Sequence, residues 1–180
     1  LAGKERHDLG RPNDWGYPVR AIRTREFLYV HNFMPDRWPA GNPETDFGNL
    51  DPSPSKEVIK ALGGYYYDLS LGKRRSDELY RITDDPECVR NLANDLAFKD
   101  KLQDLQYRMM SLLKEDGDPR ALGQFEVFDT YRYQGGRTKG YETWLKAQEE
   151  TTLAELKKKL ETQPVSGGKK GKKARTAGDK

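Results

Sequence analysis

The sequence has very little cysteine: among its 180 residues there is one, Cys88. A single cysteine excludes an internal disulfide framework and any zinc site built from several cysteines. Small secreted domains that depend on several disulfides are therefore excluded as a class. The compartment stays open, because one free cysteine is compatible with any of them.

Long apolar runs are also absent. No stretch approaches the roughly 18 apolar residues of a membrane span, and no signal-peptide pattern is present. Hydrophobic and charged residues each make up 34% of the chain, a low apolar share for a fully packed protein. Aromatic residues reach 11%, which argues against disorder throughout. We predict a chain that is partly folded and partly solvated. Because it begins with Leu1 rather than Met, we expect a fragment or a processed piece.

The net charge of +3 comes from one end of the chain. Gly167–Lys180 holds six of the 32 basic residues and one of the 29 acidic ones, which leaves the remainder slightly acidic. The basicity therefore belongs to a tail and not to the folded part. Six cations could bind nucleic acid in a salt-sensitive way. The acidic body shows no pattern of aromatic and basic residues for nucleic acid, so we do not expect such a partner.

Two segments have the pattern of β-strands. Gly16–Phe33 is rich in β-branched and aromatic residues and is interrupted by a short polar break. This pattern is typical of a β-hairpin, with strands over Val19–Arg23 and Phe27–Asn32. A further strand is predicted at Glu78–Ile82, which the breakers Thr83-Asp84-Asp85-Pro86 end.

The longest helical pattern is Asp95–Glu115, followed by Gly117 and Pro119 as stop signals. A short helix over Lys56–Leu62 is predicted after Ser55 as its N-cap, and a surface helix over Glu142–Thr162. The apolar residues of the long helix recur every three or four positions and predict one buried face: Phe98, Leu102, Leu105, Met109 and Leu112. The sequence thus predicts an α+β fold, in which a small antiparallel sheet of about four strands packs beneath this helix.

The connecting segments carry three open questions. Met34–Gly64 has no periodicity and predicts an ordered meander or lid that Trp38 and Phe47 pin to a core. The run Tyr65-Tyr66-Tyr67 could stack on sugar rings or could pack partly and bond through its hydroxyls. Arg120–Tyr141 could form a late strand or an irregular wrap.

Two phrases resemble those of the sulfatase family. Glu78–Ala93 (ELYRITDDPECVRNLA) is similar to the family's C-terminal signature ELYxxxxDPxxxxNLA. Tyr17–Asn32 (YPVRAIRTREFLYVHN) resembles the hairpin that opens the C-terminal subdomain of these enzymes. Two phrases in the right order are more specific than either alone. Within the arylsulfatase family, part of the alkaline-phosphatase-like superfamily, they look most like the heparan N-sulfatase (N-sulfoglucosamine sulfohydrolase) branch.

The resemblance implies a mechanism whose central groups lie elsewhere. In the family, a formylglycine made from a C/S-x-P-x-R motif attacks sulfur, and a calcium ion polarises the sulfate oxygens. Neither the residues around Cys88 nor Ser53-Pro54-Ser55 fit that motif. The resemblance therefore implies a missing N-terminal catalytic domain, a sulfated glycan as substrate, and a periplasmic or secreted location. This fragment would be inactive alone.

The residues that could still contact such a substrate are Glu5, His7 and Arg20. An anionic glycan favours arginine and a hydrogen-bonding histidine. For Glu5 and His7 the alternative is a solvated loop, and for Arg20 it is a salt bridge across the hairpin. His31 lies within a predicted strand and is expected to be a packed or edge histidine. No catalytic or metal-binding residue is predicted in this chain.

The predicted organisation has four parts. Residues 1–15 form a connector from the missing domain, residues 16–133 the sulfatase-like subdomain, residues 134–162 a peripheral wrap with a surface helix, and residues 163–180 a disordered basic tail. The resemblance covers about Lys4–Tyr133. The alternative function is a stand-alone small α+β interaction module with a basic tail, which could bind nucleic acid.

Overall fold

This computed structural model describes residues 1–5, 10–131, 134 and 140–162. His7 and the basic tail lie outside those residues. The chain divides into two compact units, Leu1–Leu145 and Lys146–Lys180. The sheet, both hydrophobic clusters and the candidate site belong to the first unit.

Four antiparallel strands form one sheet in the order β1-β2-β3-β4. They are β1 (Ala2–Lys4), β2 (Val19–Arg23), β3 (Phe27–Asn32) and β4 (Asp77–Arg81). The hairpin has the predicted bounds because Thr24 closes its turn: the hydroxyl oxygen accepts from the backbone N–H of Phe27 at 2.9 Å. The segment expected to be a connector contributes β1, which pairs with β2.

Helix α3 (Lys99–Glu115) covers one face of the sheet, as predicted. It begins later than expected, because Asp95 caps a 3-10 turn over Leu96–Phe98 that precedes it. Ile22, Tyr29 and Leu79 stand side by side on β2, β3 and β4 and form the apolar row beneath the helix. The helix residues buried against that row are four positions apart: Leu105, Met109 and Leu113.

The predicted buried face of α3 was wrong at one position. Leu112 is 42% exposed, whereas Leu113 is 6% exposed and belongs to the core. A step of four after Met109 continues the straight stripe, and a step of three turns the side chain toward solvent here. Both steps fit an amphipathic pattern, so the spacing alone did not separate them.

Two short helices follow the meander. Helix α1 (Pro54–Leu62) starts two residues before the predicted helix, because the N-cap is Ser53 and not Ser55: its hydroxyl accepts from the N–H of Lys56 at 3.2 Å. Helix α2 (Gly64–Ser70) contains the three tyrosines and was not predicted. Tyr65 and Tyr66 are exposed, while Tyr67 packs on the second hydrophobic cluster.

The second hydrophobic cluster holds the meander in place. Its buried members are Ala40, Phe47 and Leu71, with Trp38 packed against them. The rings of Trp38 and Phe47 meet edge-to-face at 5.9 Å between centroids. The prediction that these two aromatic residues pin the meander is confirmed.

The phrase that begins at β4 folds back on the strand through Asn91. Its side-chain oxygen accepts from the backbone N–H of Leu79 at 3.0 Å and of Ala93 at 2.9 Å. The N–H of Leu92 donates to the carbonyl of Leu79 at 2.7 Å, and the Leu92 side chain enters the core. In the intervening turn the Asp85 carboxylate accepts two backbone N–H groups, as an aspartate in a turn does.

The last described segments lie outside the sheet. Residues 120–131 run through consecutive turns, so of the two alternatives the irregular wrap is the one that forms there. Helix α4 (Gly140–Thr162) follows, close to the predicted surface helix. Among the described residues, no helix combines the length and apolar character needed to cross a membrane.

Candidate functional site

A polar row crosses the sheet on the face that α3 covers. Arg20 on β2 stands opposite Gly3 on β1 and His31 on β3, and His31 stands opposite Asp77 on β4. Since side chains two positions apart share a face, this row lies beside the apolar row that contains Ile22. The hydrophobic core therefore gives way to charged groups toward one end of the sheet.

Arg20 is held by two carboxylates. Its Nε donates to Oδ2 of Asp118 at 2.7 Å, and its Nη2 donates to Oε1 of Glu5 at 2.6 Å. The residue is 6% exposed, which by itself would lower the pKa of the guanidinium, but the bonds to Asp118 and Glu5 raise it. Nη1 donates to the carbonyl of Val19 at 2.9 Å. Arg20 is thus a charged, fixed part of the structure.

The contacts continue beyond Arg20 as a single chain of ion pairs. Arg120 donates from Nη2 to Oε2 of Glu5 at 2.8 Å and lies 3.7 Å from Oδ1 of Asp129. Arg37 forms a fork with Asp129, with bonds of 3.0 and 2.7 Å. We call this set the ion-pair chain; its order is Asp118, Arg20, Glu5, Arg120, Asp129, Arg37.

The ion-pair chain balances its own charge, since three arginines alternate with three carboxylates. The Arg120 side chain has no exposure at all. A buried charge of this kind is tolerated only with close partners and further hydrogen bonds. Arg120 also donates to the carbonyl of Phe125, which fixes the wrap that follows α3. The ion-pair chain therefore connects β1, β2 and the residues after α3.

An open cavity of about 510 Å³ lies beside the ion-pair chain. Glu5, Arg20 and Asp118 line it together with the residues of β1 and the end of α3. Gly3 leaves the room that Arg20 occupies, since a β-carbon there would lie 2.9 Å from Cδ of Arg20. The arrangement holds a carboxylate and an arginine at one rim in a fixed geometry.

The structure brings two of the three candidate residues together. Glu5 and Arg20 are in direct contact, and His7 lies outside the described residues. Arg20 does form salt bridges, but with Glu5 and Asp118 and not across the β2–β3 hairpin. A contact of Glu5, His7 or Arg20 with substrate stays a prediction.

Sequence reasoning missed four members of the ion-pair chain: Arg37, Asp118, Arg120 and Asp129. The only available signal was the close spacing of Asp118 and Arg120 directly after the long helix. That spacing places both residues at the helix end, but it does not identify their partners.

His31 belongs to a second polar cluster on the same row. Its Nδ1 lies 3.0 Å from Oδ1 of Asp77, which also accepts from the Tyr29 hydroxyl at 2.6 Å. Its ring packs edge-to-face on Phe33 at 4.6 Å, so the prediction of a packed histidine is confirmed. The hydrogen bond with His31, followed by the one from Tyr29, lowers the pKa of Asp77 to about 2 in spite of its partial burial. The Ser76 hydroxyl donates to Asp77, so this serine is not set against the histidine as a nucleophile would be.

The Cys88 thiol and the acidic side chains of the described residues were compared with the requirements of a nucleophile and of a metal site. Burial, followed by the nearby Asp85 carboxylate, raises the pKa of the Cys88 thiol, which disfavours the nucleophilic thiolate. Among the described residues, no group of three or more His, Cys, Asp and Glu side chains is placed to hold a metal ion.

No family model matches this sequence, and no curated protein is significantly similar to it. The resemblance to sulfatases therefore rests on the two sequence phrases.

Proposed function

We propose that this chain is the C-terminal part of a sulfatase that hydrolyses sulfate esters or N-sulfate groups of glycans. One observation carries the proposal. The two phrases that resemble the family, Tyr17–Asn32 and Glu78–Ala93, are far apart in the sequence but form adjacent strands of one sheet, because β3 pairs with β4. Their adjacency in the sheet supports reading them together as one structural signature.

The residues of both phrases have identifiable roles in that signature. Arg20 from the first phrase anchors the ion-pair chain. Asn91 and Leu92 from the second phrase bind the backbone of Leu79 from two directions. These roles are structural, and none of them is that of a catalytic group.

The sheet also has a face suited to a further domain. Val19, Ala21, Leu28 and Val30 lie on the side opposite α3, are half-buried, and belong to neither hydrophobic cluster of the described residues. An antiparallel sheet can pack one face on its own core and offer the other to a partner. In the proposal, that partner is the N-terminal catalytic domain, which carries the nucleophile and the calcium site.

The test begins with the coding DNA upstream of Leu1. We expect an in-frame extension that contains a C/S-x-P-x-R motif and Asp and Asn metal ligands. The encoded full-length protein should release sulfate from O-sulfated or N-sulfated disaccharides, and it should be found in the periplasm or the medium. The 180-residue chain alone serves as the matched control and should release none.

The opposite result is equally specific. A start codon close to Leu1, without any such extension, would contradict the enzyme proposal. The chain would then be the stand-alone interaction module, and its isolated form should unfold in one cooperative transition.

A further inference from the structure

A second cavity has a volume of about 450 Å³ and is lined by two tryptophans from loops, Trp15 and Trp38. Its other polar walls include Arg11, Arg37 and Lys73. We call it the tryptophan pocket. Its size is within the range of small-molecule sites, roughly 300–1,000 Å³.

One buried arginine fixes both aromatic walls. Arg11 is 1% exposed; its Nε donates to the carbonyl of Trp38 at 2.6 Å, and its Nη1 donates to the carbonyl of Trp15 at 3.3 Å. Nη2 donates to the carbonyl of Pro39 at 2.7 Å. Since the two tryptophan backbones share one rigid donor, their separation is set before any ligand binds.

The backbone beside Trp15 is held in an unfavourable conformation. Asn13 and Asp14 both have left-handed φ values, 55° and 53°. Such residues cost free energy and persist only where the surroundings determine them. A side-chain oxygen of Glu142 accepts from the N–H of Asn13 at 2.6 Å and supports this turn.

The charge of the tryptophan pocket is positive. The Arg37 guanidinium lies 4.8 Å from the ring centre of Trp15, and the Lys73 ammonium lies 5.5 Å from that of Trp38. Arg37 is neutralised by Asp129. Lys73 is exposed and pairs with no carboxylate among the described residues, so its charge is available at the rim. A cation therefore lies over one face of each indole ring, which disfavours a cationic ligand and favours an anion.

The remaining polar groups of the tryptophan pocket restrict the chemical class of its ligand further. Asp36 and Asn42 line the tryptophan pocket and can accept or donate hydrogen bonds to hydroxyl groups. The Asp36 carboxylate opposes a ligand with several clustered phosphates. Aromatic walls, one available cation and hydroxyl-binding groups suit a sugar ring that bears a single acidic group.

We propose that the tryptophan pocket binds a saccharide unit that carries a carboxylate or a sulfate. The inference rests on the proposed function, in which a sulfated glycan is the source of that sugar. Trp15, Trp38 and Lys73 are the residues that would recognise it. Lys73 binds the acidic group, and the indole rings contact the C–H face of the sugar.

The test measures binding to the 180-residue chain, without any requirement for catalysis. The probe is a heparin-derived disaccharide with one uronate and one N-sulfate, titrated by calorimetry and by tryptophan fluorescence. Lactose, as a neutral disaccharide, and uridine monophosphate serve as comparison ligands. We expect binding of the heparin disaccharide that weakens with salt, and at least tenfold weaker binding of both comparison ligands.

Two variants test the residues. Lys73→Gln should weaken binding of the heparin disaccharide by about tenfold or more, the loss expected for one charge-assisted hydrogen bond. Lys99→Gln, an exposed lysine of α3 outside the pocket, is the matched control and should leave the dissociation constant unchanged. A thermal unfolding curve shows that each variant is folded.

Three outcomes would overturn the proposal: no binding of the heparin disaccharide at millimolar concentration, equal effects of the two lysine variants, or tighter binding of the nucleotide. These outcomes are separate from those of the proposed function. Full-length protein that binds the disaccharide through Lys73 but releases no sulfate contradicts the sulfatase and leaves the tryptophan pocket intact.

Discussion

Gly3 and Arg20 are opposite each other in the β1–β2 pairing, and a β-carbon on Gly3 would lie 2.9 Å from Cδ of Arg20. The Arg20 side chain cannot simply move aside, because Glu5 and Asp118 hold its guanidinium. The absence of a side chain at Gly3 is therefore a packing requirement of the ion-pair chain.

Replacing this glycine tests that requirement. Gly3→Ala should lower the free energy of unfolding by about 1–3 kcal/mol, the usual cost of overpacking, as measured by urea unfolding. Gly140→Ala is the control, since nothing lies within 4 Å of a β-carbon there. Equal urea midpoints for the two variants would show that Arg20 has room to shift.

Glu5 is the shared carboxylate of two arginines, Arg20 and Arg120. Glu5→Gln keeps the shape but removes the charge between them, so we expect a loss of about 2–3 kcal/mol in unfolding free energy. The exposed Glu44→Gln is the control and should stay within about 0.5 kcal/mol of the parent chain. A Glu5 variant as stable as the control would mean that the ion-pair chain contributes no stability.

Asn91 satisfies a backbone donor that the core encloses. Asn91→Ala leaves the N–H of Leu79 without its acceptor, and Leu79 has no exposure. We expect a loss of about 1–3 kcal/mol, the cost of a buried unpaired donor, measured by chemical unfolding. Asn94→Ala, three residues along and exposed, should have little effect. If both alanine variants unfold at the same denaturant concentration, the hydrogen bonds of Asn91 do not contribute to stability.

The Asp77 carboxylate makes the free energy of unfolding depend on pH in the acidic range. Its pKa is about 2 in the folded protein, below the value of about 3.9 for an unfolded chain. A depressed carboxyl pKa stabilises the fold above the unfolded value, and this contribution is lost as the pH falls from about 4 toward 2.

Comparison with Asp77→Asn measures this contribution of Asp77 to the free energy of unfolding. The parent should be more stable than the variant by about 1–2 kcal/mol near pH 6, a value reduced for the partial exposure of Asp77, and the difference should shrink between about pH 4 and pH 2. Asp51→Asn, at an exposed position, should show a difference that does not change with pH. A constant difference for Asp77→Asn would contradict the lowered pKa.

The elements that the sequence predicted well are those whose signals are local. The β2–β3 hairpin has the predicted bounds because strand-forming residues flank a turn that Thr24 closes on its own. The α3 helix was predicted with its buried stripe correct up to Met109, and the error at Leu112 arose where two spacings were equally allowed. Helix α2 was missed because three adjacent tyrosines show no helical period.

The ion-pair chain could not be predicted for a different reason. Arg120 and Glu5 are 115 positions apart, and their contact depends on where the end of α3 meets β1. The sequence around a charged residue does not indicate which residue will be its ion-pair partner. Glu5 and Arg20 could be selected as candidates, but their pairing required the assembled sheet.

The order of the sheet has a consequence for how the chain can change in length. Every strand pairs with its neighbour in the sequence, yet β3 ends at Asn32 and β4 begins at Asp77. The entropy of closing such a connection grows slowly, by about 0.6 kcal/mol for each doubling. Gly63 and Gly64 have open space around them at the junction of α1 and α2. Extra residues inserted at that junction should leave strand pairing and register unchanged, which makes it the natural point of insertion in this fold.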